Sequence, residues 1–254
     1  MPFSSRQIVE IFHLTFLRAL LAKGDDKGLI ALKGGCNLRF FFGSVRYSED
    51  MDLDVVVIAR ETLKNKVDRL LRSPLVLAPL KSKGIAIEET SAPKQTETTQ
   101  RWKIALRVDN LSVIVRTKVE FSRRDAIEGA KFEATDRDVL RPYGLMPVLA
   151  THYEAEMAIV QKIHALAERA EPQARDIFDL NLLFARPETG KIVARLAKKS
   201  RVSKAIDHAL SISFDDYMSK VVAYLEPDQA DLFSGRSFWN TIQGDVVDRL
   251  EALR

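Results

Sequence analysis

The stretch RYSEDMDLDVVVIA, residues 46–59, places aspartates at every second position inside an otherwise apolar run. On a strand, alternation sends Asp50, Asp52 and Asp54 to one face and Met51, Leu53, Val55 and Val57 to the other. Carboxylates crowded on one face repel, and charges beside a core are costly. A bound divalent cation relieves both penalties. Oxygen donors without histidine or cysteine in the stretch favour magnesium, or manganese, over zinc. A cation so held can bridge phosphate oxygens, which suits phosphoryl or nucleotidyl transfer. Asp50 and Asp52 are the first candidate ligands, and Asp54 extends the set or lies just behind it.

Upstream, the apolar segment GLIALK meets Gly34 and Gly35 and continues as an aromatic, helix-like segment. A glycine pair between strand and helix lets backbone amides approach a triphosphate closely. Lys33 beside it supplies a counter-charge. A glycine turn followed by Asp-x-Asp on a strand resembles the nucleotidyltransferase superfamily that includes DNA polymerase beta. That resemblance implies a third acid from a neighbouring strand, and Glu120 in RTKVEFS is the candidate. An ordinary outward-facing strand acid is the other reading of Glu120.

Two longer segments, LKGGCNLRFFFGSVRYSEDMDLDV and KIHALAERAEPQARDIFDLNLLF, sharpen the comparison. Together they resemble the AbiEii-type nucleotidyltransferase toxin family, over about residues 30–185. The matching positions are Lys33, Gly34 and Gly35; Arg46, Ser48, Asp50 and Asp52; Lys162, Ala165, Leu166 and Arg169; and Arg175, Asp176, Asp179 and Leu180. Lys118 and Glu120 fit a weaker middle motif. Cys36 stands where a threonine or serine often follows the glycines.

The resemblance implies an enzyme that takes a nucleoside triphosphate with Mg2+ (or Mn2+) and acts as the toxin of a bacterial toxin–antitoxin pair. Its partners would be an antitoxin protein and an RNA acceptor, since several family members add nucleotides to the 3′ end of tRNA. Asp50 and Asp52 would hold the metal, with Glu120 and Asp54 as further ligands or Glu120 as general base. Lys33, Gly34, Gly35 and Ser48 would cradle phosphates, and Arg46 would pair with the carboxylates or touch phosphate. A second domain usually closes over the nucleotide in this superfamily; Lys162 would then offset charge on pyrophosphate and Asp176 would orient Lys162 or the acceptor. Taken alone, Arg175 and Asp179 read as a surface ion pair four residues apart, and Lys162 as a snorkelling lysine. A transferase acting on an aminoglycoside-like small molecule or a protein hydroxyl, and a non-catalytic nucleotide- or antitoxin-binding protein, are the rival readings.

The elements that would position these residues fall into two halves. An amphipathic helix begins at Ser4 or Ser5, its apolar run interrupted by Glu10, His13 and Arg18. A helix over 60–73 and strands in GIAIEET, RWKIALRVD and LSVIVRTKVEFS follow the aspartate strand. Asp109–Asn110 reads as a hairpin turn and APKQTETTQ as an exposed loop. Beyond about Pro147 the pattern turns helical: THYEAEMAIVQKIHALAERA capped by Thr151, ARDIFDLNLLFA, and stretches near 191–209, 214–225 and 237–253. The expected fold is α+β: a nucleotidyltransferase-like mixed sheet with helices over residues 1–145, then a helical domain over 146–254.

Net charge is +4, and KIVARLAKKSRVSK concentrates basic residues without an acid. Lys191, Arg195, Lys198, Lys199, Arg201 and Lys204 therefore form a candidate RNA surface, against the plainer reading of a solvated helix face. One cysteine excludes an internal disulfide. No apolar run is long enough to span a bilayer, so the expected location is cytoplasmic. His13, His152, His164 and His208 show no metal spacing and read as structural, and Trp102 and Trp239 as core or interface residues.

Overall fold

The computed structural model describes residues 3–22, 24, 26–108, 111–186 and 190–254, excepting the side chains of 111–113 and 190–192. In chain order the first half comprises α1 (Ser5–Leu21), β1 (Ile30–Lys33), α2 (Gly34–Phe41), β2 (Asp50–Val55), α3 (Arg60–Leu70) and α4 (Pro74–Lys81). Then come β3 (Ile85–Gln95), β4 (Thr99–Val108), β5 (Leu111–Arg123), β6 (Ala130–Ala134), α5 (Arg137–Leu140) and β7 (Leu149–Tyr153). The remainder is helical: α6 (Ala155–Glu168), α7 (Ala174–Phe184), α8 (Gly190–Leu196), α9 (Lys199–Ser211), α10 (Phe214–Lys220), α11 (Pro227–Phe233) and α12 (Arg236–Glu251). The fold is the expected α+β arrangement.

The strands form one seven-stranded mixed sheet in the order β3-β4-β5-β2-β1-β7-β6. β2 lies parallel to β5 and antiparallel to β1. On one face Met51, Leu53, Val55, Val119, Phe121, Ile30 and Leu32 are buried. They join one core with apolar residues of α1, α3 and α4, among them Phe12, Phe16, Leu63, Val67, Val76 and Leu80. Each such side chain contributes about 1.5–3 kcal/mol on burial. A one-residue slip of β2 would exchange that gain for aspartates in the core, so the apolar face fixes the register.

Ser4 starts α1 with a capping box: its hydroxyl accepts from the Gln7 amide at 3.3 Å, and the Gln7 side chain accepts from the Ser4 amide at 2.9 Å. The amphipathic reading of α1 is corrected, because Glu10 and His13 are buried and only Arg18 of the three is exposed. Glu10 is matched by Arg39 at 2.7 Å and by the Tyr143 hydroxyl at 2.6 Å. Paired charges can lie inside where unpaired ones cannot.

The chain divides into two compact units, one of residues up to Gly43 with Tyr47–Tyr153, the other of Ser44–Arg46 with Glu154–Arg254. The division thus falls after Tyr153 instead of near 145. Residues 149–153 pair with β6 as a strand, which also moves the cap of α6 from Thr151 to Glu154. The polar stretch 92–100 is mostly strand, with β3 running to Gln95 and β4 starting at Thr99. Asp109 and Asn110 lie outside the described residues; β4 and β5 are antiparallel, Val108 opposite Leu111. In the helical unit, the basic stretch is two helices and not one, and 214–225 is α10 followed by a short 3-10 turn. Trp239 stacks on Tyr217 at 4.8 Å in that unit's interior.

Candidate active site

In the sheet unit, register alone assembles a carboxylate row. Asp52 of β2 faces Lys33 of β1 on one side and Glu120 of β5 on the other, and Asp50 faces Lys118. The Lys118 ammonium reaches Asp50 at 2.8 Å. Glu120 does stand beside Asp52, but its carboxylate is engaged by Arg101 of β4 at 2.5 Å. Burial raises the Asp52 pKa above the ordinary carboxylate range; Lys33 opposes that rise, and neighbouring Asp50 and Glu120 reinforce it. The crowding of like charge anticipated from the alternation is thus present at Asp52.

Gly34 closes the row from the β1 side. Its φ of +67° lies in the left-handed region, and a methyl group there would sit 3.1 Å from Asp52 Oδ2. Only glycine gives both that dihedral and that approach. It opens α2, whose first turn, directly after β1, carries no side-chain cap from Lys33. Uncapped first-turn amides favour an anion. Cys36 in the same turn is fully buried, and its thiol, pushed up in pKa by burial, donates to the Asp50 carbonyl at 3.3 Å. Ser48 donates to the same carbonyl at 2.8 Å. The two side chains fix the backbone at Asp50, a task different from the phosphate contact expected of Ser48.

Of the two places expected of Asp54, in the ligand set or just behind it, its contacts fit the second. It is 2% exposed and its oxygens are taken: Oδ1 by Lys33 at 2.5 Å and Arg124 at 3.1 Å, Oδ2 by the Tyr153 hydroxyl at 2.8 Å. Arg124 and Tyr153 carried no mark in the sequence reading, being far along the chain from Asp54. Among the described residues no three His, Cys, Asp or Glu side chains gather as a ready-made metal cage. Magnesium characteristically takes one or two carboxylates and completes its shell with substrate phosphates and water. Asp50 and Asp52 are a donor pair of that kind.

In the helical unit a second cluster forms around α6 and α7. Lys162 reaches Asp176 at 3.0 Å and Asp179 at 2.6 Å, Arg169 reaches Asp176 at 3.0 Å, and Arg46 reaches Asp179 at 3.0 Å. Both aspartates are fully buried. Burial would lower the Lys162 pKa, yet Asp179 and Asp176 outweigh it and raise it; Asp179 is held low by Arg46 and Lys162 against its own burial. Arg46 therefore pairs with Asp179. Asp179 takes Arg46 and Lys162, where spacing taken alone suggests Arg175, and Lys162 is an enclosed cation, not a snorkelling one.

Arg195, Lys198 and Lys199 are exposed, whereas Arg201 and Lys204 flank Glu168 at 3.6 and 4.0 Å. The side chain of Lys191 lies outside the described ones. His13, His152 and His208 all have structural partners: Thr117, Asn37 with Glu133, and the Leu166 carbonyl.

The family model described as "Nucleotidyl transferase AbiEii toxin, Type IV TA system" matches residues 15–237. The chain belongs to the AbiEii nucleotidyltransferase toxin family. Solved structures share the fold. JHP933 from Helicobacter pylori is 19% identical over 99% of this chain and 95% of its own, with a TM-score of 0.56. MenT4, a nucleotidyltransferase toxin from Mycobacterium tuberculosis H37Rv, is 18% identical over 99% and 95%, with a TM-score of 0.61. No curated protein matches the chain. As an AbiEii-family member the protein is a nucleotidyltransferase toxin of a type IV toxin–antitoxin system, which implies a nucleoside triphosphate substrate and an antitoxin partner. No helix among the described residues is long and apolar enough to cross a membrane.

Proposed function

We propose that this AbiEii-family toxin transfers a nucleotide from a nucleoside triphosphate, held with a divalent cation, to the 3′ hydroxyl of tRNA. The observation that carries this reading is the row Lys33–Asp52–Glu120 across three adjacent strands, with Gly34 opening α2 directly after Lys33 and close against Asp52. Mg2+, held by Asp50 and Asp52, would supply charge neutralisation at the triphosphate. The α2 amides and the Lys33 ammonium bind and orient the phosphates from the β1 side. Cys36 and Ser48 keep the Asp50 backbone in place.

The acceptor oxygen forms its bond to the α-phosphorus as the bond to pyrophosphate breaks. Glu120, paired with Arg101, would accept the hydroxyl proton. The helical unit's Lys162–Asp176 pair belongs to the family's later motif, and Asp179 with Asp176 raises the Lys162 pKa against the effect of burial.

The test is incubation of the protein with total tRNA, Mg2+ and each labelled nucleoside triphosphate in turn. Label on the RNA 3′ end is the expected result and identifies the nucleotide. Label on the protein itself would move the acceptor to a side-chain hydroxyl.

A further inference from the structure

We infer that a second binding cleft, on the β5 side of the carboxylate row, holds the sugar-phosphate backbone of the acceptor RNA's 3′ end. The inference rests on the reading of the acceptor as RNA. Asp50 forms one wall of a cleft of ≈ 330 Å³ that runs across β5, β4 and β3. Its cations are Lys118 and Arg116 of β5 and Lys103 of β4, with Ser91 and Glu89 on β3. That volume lies at the small end of ligand pockets, about 300–1,000 Å³.

Register makes the cleft basic. Lys103 stands directly opposite Lys118, and Arg116 opposite Ala105, whose methyl group leaves the floor open. Like charges directly opposed across two strands destabilise a sheet. Lys118 is offset by Asp50 at 2.8 Å. Lys103 and Arg116 pair with no carboxylate among the described residues, although Glu89 lies across the cleft. A pair of cations kept at a cost to the fold is what an anionic ligand compensates.

The strand order assigns the occupant. With β1 on one side of β2 and β5 on the other, the start of α2 lies against Asp52 from the β1 side and this cleft against Asp50 from the β5 side. An in-line displacement needs the leaving pyrophosphate and the attacking hydroxyl on opposite sides of the α-phosphorus. The triphosphate belongs on the glycine side, so the cleft is left to the acceptor strand. Among the described residues no aromatic side chain lines it, so the lining offers phosphate contacts in place of base stacking and reads the strand irrespective of sequence.

The experiment uses the full chain and the variant Lys103→Ala/Arg116→Ala, both exposed strand positions. Fluorescence anisotropy with labelled tRNA gives RNA affinity across a salt series, and the steady-state rate gives KM for the nucleoside triphosphate. The cleft predicts RNA affinity at least about tenfold weaker and a salt dependence shallower by about 1.4, two single-strand phosphate contacts at about 0.7 each. It also predicts an unchanged nucleotide KM and a Tm no lower than wild type, since repulsion is removed. Unchanged RNA affinity and salt slope would overturn the cleft while leaving RNA as acceptor. A raised nucleotide KM with RNA affinity intact would overturn it in favour of a triphosphate subsite. A wild type that neither binds tRNA nor labels it would overturn the acceptor assignment itself, and the cleft with it.

Discussion

Of the three alternating aspartates, Asp54 is the one turned away from solvent, and its neighbours explain how a carboxyl group is accommodated there. Lys33, Arg124 and Tyr153 supply two cations and a hydroxyl to a carboxylate that is almost wholly enclosed. Removing one member of such a pair costs more than the pair contributes, because the others are left with charge and no partner. Asp54→Asn is therefore expected to destabilise the protein by about 3 kcal/mol, near the low end for a broken buried pair because Arg124 is half exposed. Urea unfolding measures it directly; an unchanged midpoint would remove the structural role. Alternation in the sequence places Asp54 on the same face as Asp50 and Asp52, and the register agrees. It carries no sign that Asp54 is enclosed, since Arg124 and Tyr153 are 70 and 99 residues away. The same limit hid the Arg46–Asp179 pair, whose members are 133 residues apart.

At the scale of elements, the start of α2 and the buried helix α1 each make a measurable claim. Gly34→Ala would force a side chain into the left-handed region and against Asp52 Oδ2. About 1 kcal/mol of stability should be lost, together with a raised KM for the nucleoside triphosphate; a wild-type KM in this variant would show that the close approach is not needed. His13 of α1 sits at Thr117 of β5, whose hydroxyl proton goes to the Glu49 carbonyl, so the imidazole donates from Nε2 and stays neutral. Burial lowers its pKa to about 3. In the unfolded chain it titrates near 6.5, so below that pH only the unfolded state gains the proton. Its contribution to stability is full above pH 6.5 and falls as pH drops toward 3, by about 1.4 kcal/mol per unit. Comparing urea unfolding of wild type and His13→Asn at pH 7.5 and pH 5 should show about 2 kcal/mol more acid sensitivity in wild type. Equal sensitivity would mean the imidazole is protonated in the folded state. Helices with a sustained run of apolar residues at helical spacing were legible, α1 with its Ser4 cap and α12 without a side-chain cap. The short strand β7 was not, because LATHY runs without a break into the α6 pattern, and α4 was hidden by Pro79 inside it.

For the whole molecule, the features readable in advance were the order of the halves and the family motifs from about residue 30 to 185. The family match extends to residues 15–237, taking in helices after α7 in which no motif had been visible, because packing helices are specified by apolar spacing and not by particular residues. The basic run 191–204 reads as one stripe in sequence, but a break after Leu196 divides it, and Glu168 lies beside Arg201 and Lys204. Cross-strand register, invisible along the chain, instead gathers cations of β4 and β5 next to Asp50. The central claim is that the β2 carboxylates carry the transfer reaction of the intact protein. Its most direct test is pyrophosphate release from a nucleoside triphosphate with tRNA and Mg2+, by wild type and by Asp52→Asn, with thermal melting of both. The account predicts a rate at least about 100-fold lower in a variant that melts no lower than wild type. A folded Asp52→Asn protein that releases pyrophosphate at the wild-type rate would contradict it.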